Sequence, residues 1–228
     1  MFNLDVIKKH VRNNNFESKL DYSPNFNRDR VAIIVETRRK ENLNWVVNSV
    51  KYYTNWPIIF FCSTYNYHLV NDVQKVIIPR NIDYSEIMKT KEFWESIFYE
   101  NILVFQHDSF MIRHGIENFV GYDYIGSPWY WSYGDFKDKR YKDLKLFQNG
   151  GNGGFSLRKK SKMIDIIENQ IYDYDYEDMF FSAHLNTKIP LEVKKKFCVE
   201  SIYYDKPLAV HNPVKYLPTD KIKNILSV

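Results

Sequence analysis

Apolar residues along this chain alternate between short continuous runs and helical spacing. Val31-Ala-Ile-Ile-Val35 is a β-branched run too short for a typical helix and bounded by charge, which predicts a central strand buried on both faces. Leu43, Val46, Val47, Val50 and Tyr53 then recur with helical spacing until Trp56-Pro57, and a second apolar run, Ile58-Ile-Phe-Phe-Cys62, follows. Val76-Ile77-Ile78 predicts a third strand. Tyr84 to Phe98 reads as one helix carrying Ile87, Phe93, Trp94 and Ile97, and Ile102-Leu-Val-Phe105 as another buried strand. Strands alternating with helices predict an α/β fold with a mostly parallel central sheet flanked by helices. In such folds ligands bind beyond the carboxyl ends of strands, here Glu36-Thr37-Arg38 and Gln106-His107-Asp108-Ser109.

The second half is less regular. Tyr122 to Tyr141 is dense in aromatics, including Trp129 and Trp131, and reads as a long loop with short strands. Gln148-Asn-Gly-Gly-Asn-Gly-Gly154 enters a strand at Phe155-Ser-Leu157, and Arg158 to Ile171 reads as a helix through Met163, Ile166 and Ile167. Tyr176 to Phe181 opens another helical segment, and Pro207-Leu-Ala-Val210 is a short strand with His211 at its tip. Before Arg30 the chain is rich in Asn and charge, with Phe2, Leu4, Val6, Ile7 and Val11 suggesting a short amphipathic helix that Tyr22-Ser-Pro24 ends. The expected partition is a peripheral arm over 1–30 and one folded unit over 31–228, since no internal repeat or linker interrupts it.

Composition narrows the class. A hydrophobic fraction of 44% and a charged fraction of 26% in 228 residues exclude a mainly disordered chain, a collagen and a polytopic membrane protein. Lys plus Arg 32 against Asp plus Glu 28 leaves +4, and both signs are interspersed. Single-stranded nucleic-acid binding therefore ranks last, because no basic stripe interleaves with the aromatics. Aromatic content is high at 17%, which serves either a core or a surface that stacks on flat ligands. Cys62 and Cys198 belong to no C-x-x-C pair and read as reduced, buried thiols. With no signal peptide, membrane span or Asn-x-Ser/Thr acceptor, the expectation is a soluble cytoplasmic protein.

Several residues could carry chemistry. Asp108, at the end of a buried strand, either offers oxygen to a hard divalent cation or caps a loop. Four glycines within Asn149 to Gly154 either let the backbone approach a ligand or form a tight hairpin; neither a Walker nor a dinucleotide spacing is present. Glu177-Asp178 either complements a helix dipole or supplies a general base. His211 is either a metal ligand or a packed surface residue. Arg38-Arg39-Lys40 and Arg158-Lys159-Lys160 either face phosphate or lie on solvated faces.

The order of these features resembles the plan of GT-A fold glycosyltransferases. The resemblance is carried by Val31-Ala-Ile-Ile-Val-Glu-Thr-Arg38, Val104-Phe-Gln-His-Asp-Ser109, Tyr122-Asp-Tyr-Ile-Gly-Ser-Pro-Trp129, Gly151-Asn-Gly-Gly-Phe-Ser-Leu-Arg158 and Glu177-Asp-Met-Phe-Phe-Ser182. These patches are similar to those of a glycosyltransferase-like family catalogued as a domain of unknown function. The resemblance implies a single GT-A-like, Rossmann-like domain over 31–228. Glu36, Thr37, Arg38, Gln106 and His107 would border the nucleotide. Asp108 would match the last acid of a D-x-D motif and, with His211, hold Mn²⁺ or Mg²⁺. Trp129, Asn152, Gly153, Gly154 and Phe155 would line the donor and acceptor sugars, and Asp178, with Glu177 beside it, would match the base of an x-E-D motif. Gln106 departs from the family pattern, because it stands where the first acid of D-x-D belongs and supplies no negative charge.

The resemblance thus implies hexosyl or deoxyhexosyl transfer from a UDP-sugar or similar donor to a hydroxyl of a glycan or other acceptor. Inversion is expected, given a base near the acceptor and no obvious second nucleophile. The rival expectation is a catalytically inactive nucleotide-sugar or carbohydrate-binding protein of the same fold, its metal site weakened at Gln106.

Overall fold

In the computed structural model, which describes residues 29–134 and 144–227, the first apolar run forms strand β1 (Arg30–Glu36). Its alternating residues serve two separate core layers. Ala32 and Ile34 pack with Leu43, Val46, Val47 and Val50, the buried stripe of helix α1 (Leu43–Thr54). Val31, Ile33 and Val35 pack on the other face with Phe93, Trp94, Met163 and Ile166. Burial on both faces is what a continuous apolar strand requires. Helix α1 ends at Asn55, whose left-handed backbone (φ 55°) lets its N–H donate to the Lys51 carbonyl.

Strands β2 (Ile58–Cys62) and β3 (Gln74–Ile77) follow. The helix expected over Tyr84 to Phe98 is two short ones, α2 (Tyr84–Met88) and α3 (Lys91–Glu95), with Thr90 extended between them. The break has a packing cause: it turns both Ile87-Met88 and Phe93-Trp94 into the core, and the Trp94 indole N–H bonds the freed Met88 carbonyl at 2.7 Å. Strand β4 (Asn101–Phe105) completes a parallel set, and β5 (Ser109–Met111) leaves the sheet.

Strand β6 (Tyr124–Ser127), a single helical turn α4 (Tyr130–Tyr133) and β7 (Asn152–Lys159) occupy the aromatic and glycine-rich stretch. The helix expected from Arg158 begins two residues later, as α5 (Lys160–Asn169), because Arg158 and Lys159 finish β7. Helices α6 (Glu177–Ala183) and α7 (Leu191–Phe197), strands β8 (Cys198–Val199) and β9 (Ala209–His211) and helix α8 (Thr219–Leu226) complete the described chain. The expected arm over 1–30, apart from its last two residues, and the 135–141 part of the aromatic stretch lie outside the described residues.

The main sheet runs β3-β2-β1-β4-β7-β6, with β7 antiparallel to both neighbours and the other pairings parallel. This is a single Rossmann-like α/β domain with a mostly parallel central sheet flanked by helices. Because β7 runs against β4, its start at Asn152 to Gly154 meets the carboxyl end of β4, and Phe105 pairs with Phe155. A second sheet, β5-β9-β8, takes in the short strand expected at 207–210, which forms as β9 and includes His211, whereas β5 and β8 were not legible in the sequence. Its register sets Ser109 opposite His211 and so brings Asp108 beside that histidine. Both cysteines are free and buried, as expected.

Candidate active site at the carboxyl ends of β1 and β4

The end of β1 is braced from below. Asn66, fully buried, donates to the carbonyls of Glu36 (2.6 Å) and Arg38 (3.0 Å), while the Ser63 hydroxyl donates to the Thr37 carbonyl. Thr37 Oγ1 donates to the Arg80 carbonyl, so its side chain serves the turn. Glu36 accepts Nε and Nη2 of Arg38, both at 2.8 Å, and faces His107 Nδ1 at 3.2 Å. Burial opposes its charge, but the His107 contact and the Arg38 bonds pull its pKa down to about 2. Of the three residues at this strand end, among the five expected to border a nucleotide, Arg38 alone is exposed, and Glu36 holds it in place.

At the end of β4, Gln106 donates its backbone N–H to the Gly154 carbonyl at 2.9 Å, and the Ser109 hydroxyl bonds the same carbonyl. Asp108 Oδ1 lies 3.4 Å from His211 Nε2, and Glu200 Oε1 lies 3.3 Å from His211 Nδ1. His211 therefore sits between two carboxylates. Burial would lower its pKa, but Asp108 and Glu200 raise it to about 9. Asn212 is left-handed (φ 42°), and its N–H donates to the Asp108 carbonyl at 2.9 Å, locking the two strand ends together. Gly154 lies against the imidazole ring: a Cβ there would be 2.2 Å from Nε2. The Asn152 side chain bridges this group, accepting Gly154 N–H at 2.7 Å and donating to Glu200 at 3.2 Å.

Asp178 stands on the other side of the same turn. Its Oδ2 accepts the Gly153 N–H at 2.9 Å and its Oδ1 accepts its neighbour Met179 N–H at 2.8 Å. Loss of solvation, and then the charge of Glu177, raise its pKa to about 7, against the pull of those two amides. Glu177 is committed elsewhere: it forms a two-pronged ion pair with Arg158 at 2.6 and 3.0 Å, and neither side chain is exposed. The Arg158 guanidinium lies 4.6 Å from the Tyr124 ring centroid, between Trp94 and Phe181. Arg158 is thus a core cation and does not face phosphate.

The sequence-derived set is therefore split. Asp108, His211, Asn152, Gly153, Gly154 and Asp178 gather around the start of β7, with Gln106, His107 and Arg38 at its border. Phe155 is fully buried, packs on Phe197 and gives the site only backbone. Trp129 is buried too, stacked on Trp131 at 5.0 Å and edged by Phe147, so it lies in an aromatic core. Glu200 was missed, because a two-residue strand is too short a signal to mark the acid that follows it.

Two donors converge that could share a hard cation. Asp108 Oδ1 is buried without a hydrogen-bond partner and faces Nε2, a spacing that suits two ligands of one ion. Among the described residues no third His, Cys, Asp or Glu joins them about one centre, so further oxygens would come from substrate and water. No helix of the described residues is long and apolar enough to cross a membrane.

No curated protein matches the chain. A family model described as Protein of unknown function (DUF5672) matches residues 68–211, from just before β3 to the site histidine, and thus takes in Asp108, the glycine turn, Asp178 and Glu200. The match covers more than half of the chain, and the protein belongs to that family.

Proposed function

We propose that the protein is an inverting glycosyltransferase that moves a sugar from a nucleoside diphosphate sugar, such as a UDP-sugar, to an acceptor hydroxyl. The observation that carries this reading is the convergence of Asp108, His211, Gly154 and Asp178, from four separate stretches, at the carboxyl end of a parallel set. The strand order, with antiparallel β7 inserted between β4 and β6, supports a GT-A-like reading of the fold. In this scheme Asp178 accepts the proton of the acceptor hydroxyl as its oxygen bonds to the anomeric carbon. The bond to the diphosphate breaks on the opposite face, and its electron pair leaves with the phosphate. A carboxylate with a pKa of about 7 is poised for that transfer near neutral pH. Arg38, anchored by Glu36, meets the negative charge of the diphosphate. Asp108 and His211 would hold a divalent cation, which supplies charge neutralisation at the leaving group.

The test is calorimetry and thermal shift with nucleoside diphosphates and their sugars, with and without Mn²⁺ or Mg²⁺, followed by detection of released nucleotide. Metal-dependent binding and turnover support the proposal; a folded protein that binds no nucleotide sinks it. Gln106 favours a second reading, a nucleotide-sugar-binding protein without turnover. It predicts nucleotide-sugar binding with no nucleotide release against any acceptor, and Asp178→Asn would then change nothing measurable.

A further inference from the structure

We infer that Glu200 is a positioning residue that fixes which nitrogen of His211 carries the proton, leaving the other free to face Asp108. The inference rests on the assignment of Asp108 and His211 to a cation site. Glu200 follows β8 and is buried, with its Oε1 3.3 Å from His211 Nδ1 and 3.2 Å from the Asn152 amide nitrogen. Across the ring, Nε2 faces Asp108 Oδ1 at 3.4 Å. Two buried carboxylate oxygens without a hydrogen-bond partner among the described residues flank this ring, Asp108 Oδ1 and Glu200 Oε2. Buried polar atoms are normally satisfied, so two orphaned carboxylate oxygens beside one imidazole call for a partner such as a cation or water.

Above its titration the imidazole carries one N–H, and Glu200, 5% exposed against 30% for Asp108, is the less solvated of the two flanking carboxylates and so holds that proton on Nδ1. The Nε2 lone pair is then aimed at the Asp108 carboxylate. Two electron-rich atoms facing each other at that spacing accept a cation between them. Glu200 cannot share that ion, because Nδ1 and Nε2 point in divergent directions. Its effect passes through the histidine, orienting the ring and raising its basicity. The Asn152 side chain extends the same chain of contacts to the Gly154 amide, so the glycine turn and the histidine are held as one unit.

The tautomer is read by ¹⁵N NMR of the metal-free, nucleotide-free protein at a pH above the His211 titration. Mn²⁺ affinity is read by water-proton relaxation. The expected result is Nδ1–H in the wild type and in Glu200→Gln, whose amide oxygen still accepts. In Glu200→Leu the tautomers mix, and Mn²⁺ affinity falls about 10–100-fold while Glu200→Gln retains most of it. An Nε2–H wild type overturns the inference even if Glu200→Leu does not fold, and so does wild-type affinity in a folded Glu200→Leu. Nδ1–H in a protein that binds no Mn²⁺ supports the positioning role and counts against the cation in the proposed function, so the two failures are distinct.

Discussion

His211 packs so closely on Gly154 that a single methyl group at that glycine would reach 2.2 Å from the imidazole Nε2. The ring cannot swing away freely, because Asp108 and Glu200 flank its two nitrogens. Gly154→Ala is therefore expected to destabilise the fold by about 1–3 kcal/mol through overpacking. It should also weaken nucleotide binding, as calorimetry on the folded fraction would register. Unchanged stability and affinity would mean that the ring has room the structure does not give it.

Asp178 is expected to matter for turnover more than for binding. Asp178→Asn should cut nucleotide release about 10²–10⁴-fold, the usual weight of a general base, while leaving nucleotide affinity near wild type. Loss of binding in the variant, with turnover per bound donor unchanged, would assign Asp178 to the donor pocket.

The same residue sets a pH signature. Its folded pKa of about 7 lies above the ordinary 3.8, so the folded state holds an extra proton between those values. The stability that this proton contributes is full below the lower value and is lost as pH rises through 7. Activity should run the other way, rising as pH passes 7 and the base is freed. In urea unfolding from pH 4 to 8 the stability of the wild type relative to Asp178→Asn should fall as pH rises towards 7; a flat difference would remove this contribution.

Arg158 and Glu177 should behave as a buried pair. Arg158→Met leaves the Glu177 charge stranded and is expected to cost about 3–5 kcal/mol in urea unfolding. The double variant with Glu177→Leu should recover most of that loss, because no charge remains to be compensated. Equal destabilisation by single and double variants would show that packing on Tyr124 and Trp94, not charge, holds this region together.

Lys194, fully buried, donates to the Gln148 carbonyl at 2.6 Å and so ties α7 to the segment that leads into the glycine turn. Burial pushes its pKa down from 10.5 to about 7, so the folded state binds fewer protons in that interval and its stability rises with pH there. His211 acts in the opposite sense between 6.5 and about 9, which makes the difference curve against Lys194→Met the informative measurement. The variant's stability relative to wild type should be highest below pH 7 and should decline towards pH 10.5. A flat difference would refute a buried, titrating lysine.

Sequence alone determined the parallel strands, because residues such as Ala32 and Ile33 must both be apolar when a strand is covered on two faces. It also marked Asp108, at the end of an apolar strand, and the Glu177-Asp178 pair, at the start of a helix. Tertiary structure decided the rest. Glu177 and Asp178 are adjacent and chemically alike, yet only the three-dimensional position of Arg158 commits one to the core and leaves the other beside the glycine turn. Trp129 read equally well as ligand platform or core, and the resemblance assigned Phe155 to the sugar site; their neighbours Trp131 and Phe197 settle both as core. Glu200 meets His211 through the pairing of two- and three-residue strands, too short to leave a periodic signal. Hydrophobic periodicity is a local property of the chain, whereas the partner that claims a charge is set by contacts between residues distant in sequence.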